Sequence, residues 1–117
     1  MTESNKPFFD PGFLQFRALD EATVETYFAL SDFYDKNCLN EQAKRYGGAN
    51  IDINHSNGVF YKFNTFPASP QQPQPLFVIK KWRRDQNGVE LMRVYYIVQG
   101  MIYPAPISLH RLLSSQV

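Results

Sequence analysis

The chain has 117 residues, enough for one domain and too few for two. Twelve Lys and Arg against eleven Asp and Glu give a net charge of +1, so charge alone implies no pull toward nucleic acid or a membrane. One cysteine, Cys38, excludes an internal disulfide and any multi-cysteine zinc site.

In chain order, the first half reads as short helices. Asp10-Pro11 is a start signal, an acidic cap followed by a proline whose missing N–H costs nothing at the first helical position. Phe13, Leu14 and Phe16 crowd one side of about two turns. A second start falls at Asp20, with Val24, Tyr27 and Phe28 at helical spacing and Leu30 closing it. Asn37 is expected to cap a third helix through Lys44, with Leu39, Ala43 and Tyr46 on one face and Gly47-Gly48 ending it. Helices this short need something to pack against.

The second half supplies it. Residues 59–66 are largely β-branched or aromatic and follow the Asn57-Gly58 turn pair. Pro67 to Pro75 holds four prolines among Ser and Gln, which excludes helix and central strand. Leu76–Trp82, Leu91–Val98 and Met101–Tyr103 read as three more strands, with turns at Asp85–Gly88 and Gln99-Gly100. Connections this short rule out parallel crossovers. Pro104 and Pro106 are expected to stop the sheet, and Ser108 to cap a last helix from Leu109 to Leu113.

The expectation is one α+β domain over 1–117. Short N-terminal helices (about 10–47) pack on an antiparallel meander of three to four strands (about 58–104, with the Pro/Gln loop 67–75), and a terminal helix covers 108–114. Phe28, Val78, Ile97 and Ile102 are the expected core. Residues 1–20 hold no continuous apolar run, and no stretch approaches the ~20 apolar residues of a membrane span. A soluble intracellular domain with no membrane partner is expected.

Few residues suggest chemistry. Nothing local places His55 or His110 beside Cys38 as a base, and two distant histidines do not make a zinc site. Neither GxGxxG nor GxxxxGK[ST] occurs, and the acidic residues fit no EF-hand frame. No enzyme activity, metal or cofactor is expected. The unusual number is the aromatic content, 15%, more rings than a core this small readily hides. Some are therefore expected at the surface, where Phe and Tyr suit protein contacts.

Lys80-Lys81-Trp82-Arg83-Arg84 is the sharpest electrostatic feature. In a strand, Lys81 and Arg83 point one way and Lys80, Trp82 and Arg84 the other. The stretch is open to three readings: a solubilising hairpin end, a contact for an acidic protein surface, or a nucleic-acid grip by cations around an indole.

Residues 27–42, Tyr-Phe-Ala-Leu-Ser-Asp-Phe-Tyr-Asp-Lys-Asn-Cys-Leu-Asn-Glu-Gln, resemble the YFxxSxFYDxxCNNE stretch of the Mediator complex subunit 6 family, with Leu39 in place of its usual Asn. Residues 76–84 are similar to that family's LFVIRKxxR strand, and residues 95–106 to its YYIxxGxIYQAP, with Pro104 replacing Gln. Phe13-Leu14 looks like its preceding short helix, which in the family carries a Trp. Three segments in the right order span nearly the whole chain. The 45–59 region is shorter and more polar than the family's, and the 64–75 loop is longer. The chain stops at Val117, near where the family continues into further C-terminal helices.

The resemblance implies a non-catalytic subunit of the Mediator head module, acting in the nucleus as a protein–protein adaptor that helps couple transcription regulators to RNA polymerase II. Its implied partners are other head subunits and, directly or indirectly, the polymerase machinery, with nucleic acid not a specific ligand. The alternative is a free-standing nucleic-acid-binding module using Lys80–Arg84. The candidate partner-binding residues are Phe33, Tyr34, Lys81, Trp82, Arg83, Arg84, Tyr95 and Tyr103. Tyr95 and Tyr96 must point to opposite sides of their strand, so one of them needs cover other than the helix layer if both are buried.

Overall fold

The computed structural model describes residues 6–47 and 51–105. Three short helices, α1 (Pro11–Phe16), α2 (Val24–Phe28) and α3 (Leu39–Tyr46), precede four strands. These are β1 (Gly58–Phe66), β2 (Leu76–Asp85), β3 (Gly88–Val98) and β4 (Met101–Ala105). The strands pair antiparallel in the order β1-β2-β3-β4. This is the expected α+β meander with helices on one face. The anticipated terminal helix at 108–114 lies outside the described residues.

Helices α1 and α3 start where a side chain satisfies a free amide, and α2 follows a turn held by Asp20. The Asp10 carboxylate accepts from Phe13 N at 3.2 Å, with Pro11 in the first turn. Asp20 accepts from the amides of Ala22 and Thr23 just ahead of α2. The α3 cap is Cys38 rather than Asn37: its extended backbone places Sγ 3.4 Å from Glu41 N. The helix ends on Gly47 with φ +80, the left-handed region that glycine enters without steric cost.

Register divides the sheet into two faces. Tyr61, Phe63, Phe77, Ile79, Tyr95, Ile97 and Ile102 face the helices, where Val24, Tyr27, Phe28, Phe33, Tyr34 and Cys38 meet them in one core. Phe28 is its hub. Its ring lies 5.1–6.1 Å from those of Tyr34, Tyr61, Phe63 and Tyr95, each pair contributing about 0.5–1.5 kcal/mol beyond burial. Phe28, Ile97 and Ile102 are core as expected. Val78 is buried too, but strand alternation sends it to the opposite face with Tyr96.

Two tyrosine hydroxyls tie the layers together. Tyr27 Oη donates to Gly100 O at 2.7 Å and accepts from Asp10 N at 2.8 Å, joining α2, the approach to α1 and the β3–β4 turn. Tyr61 Oη donates to Phe33 O at 3.0 Å and accepts from Asp35 N at 2.9 Å. Both rings are buried, and a buried hydroxyl with donor and acceptor roles filled avoids the penalty of an unmade bond.

The sheet edges are partly closed. On β1, the Asn40 carboxamide accepts from Tyr61 N at 2.8 Å and donates to Tyr61 O at 3.1 Å, standing in for one peptide of a neighbouring strand. On β4, Phe8 exchanges both backbone bonds with Ile102. Ile102 therefore turns its backbone outward, and so does Pro104 two residues later. The expectation that Pro104 stops the sheet is corrected here: on an outward-facing position its missing N–H removes no ladder bond.

The hairpins also differ in detail from expectation. Asp85 pairs with Gly88, leaving Gln86-Asn87 as the loop, so Asn87-Gly88 is not its central pair. At the next turn Gln99 (φ +51) and Gly100 (φ +83) are both left-handed, as a two-residue type I′ turn requires. A Cβ on Gly100 would lie 2.5 Å from Leu14 Cδ1, so this glycine also admits α1.

Candidate protein-binding surface

The eight candidate residues do not form one patch. Phe33 and Tyr34 lie on the bend between α2 and α3, and burial of their neighbours pulls both into the core. Phe33 packs on Tyr95 with ring centroids 5.1 Å apart, and Tyr95 itself is fully buried. As candidate partner-binding rings these three are expected to present themselves to a neighbour, and that expectation of exposure is corrected: all three are buried. The helix layer bends over the central strands, and an aromatic-rich sequence fills the space between with rings.

Burial raises the Tyr34 hydroxyl far above the usual tyrosine range, reinforced by the Cys38 thiol and the Glu41 carboxylate beside it. Tyr34 Oη donates to Glu41 Oε1 at 2.9 Å. Burial likewise pushes the Cys38 thiol up. A protonated, fully buried thiol is a poor nucleophile, which fits a packing role. His55 lies on an exposed loop with Nδ1 2.6 Å from Asp52 Oδ2, a hydrogen bond that, with one from the Asn54 amide, lowers the Asp52 pKa. Among the described residues no group of three His, Cys, Asp or Glu could hold a metal ion.

The basic stretch is split by strand alternation as the sequence implies. Lys81 and Arg83 share the helix-side face, where Arg83 Nη2 pairs with Glu90 Oε2 at 3.1 Å. A bulge leaves Met92 unpaired between Arg93, opposite Lys81, and Leu91, opposite Trp82. That extra residue reverses the alternation of the outer arm of β3 and brings Glu90 beside Arg83. Trp82 and Arg84 share the other face. Arg84 is held by the carbonyls of Ile53 (2.6 Å) and Ser56 (3.0 Å), and its guanidinium lies 4.5 Å from the Phe60 ring centroid. Cations divided between two faces do not make the continuous groove that grips a nucleic-acid backbone.

The face away from the helices carries two of the exposed rings, Phe66 and Tyr103, at one end, while Phe60, Val78 and Val94 within it are buried. It is built in cross-strand rows: Phe66-Leu76-Val98-Met101, then Asn64-Val78-Tyr96-Tyr103, then Lys62-Lys80-Val94-Ala105, then Phe60-Trp82-Leu91. Phe66, Val98 and Tyr103 are 48%, 41% and 41% exposed, values normally avoided in side chains this apolar when they cluster. Tyr96 is half-buried there, and desolvation raises its hydroxyl pKa. Of the eight candidates, Trp82, Arg84 and Tyr103 lie on this face. Phe66, Lys62, Lys80 and Tyr96 were not among them, although the alternation of residues 60–66 marks one side of β1 as Phe60, Lys62, Asn64 and Phe66.

The described residues thus define a small α+β domain, a helix-covered antiparallel sheet whose second face offers rings and cations. Residues 7–117 match the family model described as the MED6 mediator sub complex component. The chain belongs to the Med6 family. It is 34% identical over 109 residues to the Mediator of RNA polymerase II transcription subunit 6 of Encephalitozoon cuniculi, covering 89% of this chain and 59% of that protein. The protein of the same description from Mycosarcoma maydis is 28% identical over 120 residues, covering 93% and 45% respectively. The chain thus spans about half the length of the curated relatives it matches. Its fold is similar to the structure of the Schizosaccharomyces pombe Mediator subunit Med6, with TM-score 0.70, 28% identity and coverage of 99% of this chain and 85% of that one. A chain in the structure of the S. pombe Mediator head module matches with TM-score 0.64, 25% identity and coverage of 98% and 82%.

Proposed function

We propose that this chain is a non-catalytic subunit of the Mediator head module, working in the nucleus as a protein–protein adaptor between transcription regulators and RNA polymerase II. The observation that carries the reading is its likeness to a chain of the S. pombe Mediator head module. The physical character of the domain agrees with it. Its histidine–carboxylate pair is exposed, its thiol is buried and protonated, and its buried tyrosine hydroxyls Tyr27 and Tyr61 serve to tie the layers together.

The adaptor works as a rigid body. The Phe28 hub and the two tyrosine ties hold helices and sheet in one orientation, so a partner docking on the sheet is fixed relative to one contacting the helices. The test is purification of the tagged chain from its own organism. Stoichiometric recovery with head-module subunits is the expected result. A chain recovered without any of them, at low and moderate salt, overturns the proposal.

A further inference from the structure

The sheet face away from the helices has an uneven chemistry. Its strand positions hold three cations, Lys62, Lys80 and Arg84, and no carboxylate. The acidic group that acts on Arg84 is Asp52, on the loop beyond β1. Neither Lys62 nor Lys80 forms an ion pair among the described residues, although Lys62 Nζ donates to Asn54 Oδ1 at 2.9 Å. The two lysines are direct cross-strand neighbours, a like-charge pairing that costs stability in the isolated sheet. An opposite charge brought to them relieves that repulsion.

The cations occupy the middle and one end of the face; the other end is apolar. Leu76 and Lys80 are four residues apart on β2, roughly 13 Å. We propose that this face receives an acidic amphipathic segment of a neighbouring protein subunit. Its apolar side chains cover Phe66, Val98 and Tyr103, and its carboxylates meet Lys62 and Lys80. The same ~13 Å separates anchor and acid in the segment, about nine residues of a helix or four of an extended chain. This rests on the adaptor reading and names the chemistry of one of its partners.

Charge argues against the other occupants. A second copy of the chain would set three cations against three. Residues 106–117 of this chain contain Arg111 and His110 and no Asp or Glu, so their side chains offer Lys62 and Lys80 no carboxylate. A nucleic acid needs cations beside exposed stacking rings, whereas Trp82, between Lys80 and Arg84, is half-buried and the exposed rings Phe66 and Tyr103 lie toward the end without cations.

The experiment is reconstitution of the full chain with head-module subunits of its own organism, followed by lysine acetylation and zero-length carbodiimide cross-linking read by mass spectrometry. In the assembly, Lys62 and Lys80 are expected to acetylate at least about tenfold more slowly than in the free chain, while exposed Lys36 is unchanged. Cross-links are expected from Lys62 or Lys80 to Asp or Glu of one other subunit. Lys62→Glu with Lys80→Glu is expected to weaken that association about tenfold or more, with Arg83→Glu on the opposite face as the control.

Failure to assemble refutes the adaptor reading itself. Assembly with both lysines reacting at the free rate overturns this inference alone. So does a cross-link only between two copies of the chain, or protection that requires added single-stranded DNA or RNA. Lysines already shielded in the free chain and released on deleting residues 106–117 would assign the face to the chain's own end, again overturning it.

Discussion

Asn40 gives the sharpest test of how the helical half is fastened to the sheet. Its carboxamide fills both backbone positions of Tyr61 on the β1 edge, and Asn40 is only 7% exposed. Asn40→Ala leaves a buried N–H and a buried C=O without partners. Each orphaned group costs about 1–3 kcal/mol, and a water entering the vacated space recovers part of this, so the expected loss is about 2–4 kcal/mol. That is a large share of the 5–15 kcal/mol typical of a small domain. Urea unfolding followed by the emission of Trp82, the only tryptophan in the chain, measures it. Hydrogen exchange at the Tyr61 amide locates it. Asn37→Ala is the control, since the Gln42 side chain bonds to the Asn37 carbonyl and not to its side chain. An Asn40→Ala protein within 0.5 kcal/mol of the parent, with the Tyr61 amide still slow to exchange, refutes the reasoning.

Four further outcomes follow from the same structure. Tyr27→Phe removes the hydroxyl shared by Asp10 N and Gly100 O and should cost about 1–3 kcal/mol in chemical denaturation, with faster exchange at the Asp10 amide. Gly100→Ala forces a Cβ into Leu14 at a positive φ, so its melting temperature should fall by several degrees, about 1–3 kcal/mol, while Gly47→Ala, open in space, pays only the conformational strain. Arg84→Ala should lose about 1–2 kcal/mol through two carbonyl partners and the Phe60 ring, whereas Arg83→Ala, in an exposed ion pair, should stay within about 0.5 kcal/mol. Cys38, Tyr27 and Tyr34 all have raised pKa values, so stability is fully present below their unfolded values and declines once pH climbs past about 8.5–10. Thermal melts from pH 7 to 10.5 should be flat at first and then fall by up to about 1.4 kcal/mol per pH unit for each titrating group; a flat profile throughout refutes the assignment.

Elements set by local chemistry were legible in the sequence. Asp10-Pro11, Gly47 and Gln99-Gly100 mark helix and turn boundaries because capping and left-handed backbone depend on the residue itself. The alternation of Lys80 to Arg84 was legible for the same reason. What could not be read was the destination of the rings. Phe33, Tyr34 and Tyr95 look identical in sequence to surface aromatics, and only the bend after α2 decides that they meet one another. The β3 bulge at Met92, which changes the face of Leu91 and Glu90, has no turn residue to announce it. Pro104 misled in a different way: whether a proline ends a strand depends on which way that position's amide points, a property of the register and not of the residue.

The Tyr27 hydroxyl and the Phe8–Ile102 bridge reach across most of the chain, 73 residues in the case of Tyr27 and Gly100. On the ribosome this has a consequence in time. The N-terminal helices, five to eight residues each, are well below the length at which a helix persists unaided, and the strands they cover have not yet been translated. The segment that holds α1 and α2, rich in phenylalanine, therefore waits unfolded until the β3–β4 hairpin leaves the exit tunnel. A stalled or prematurely terminated message yields an aggregation-prone fragment instead of a partial domain.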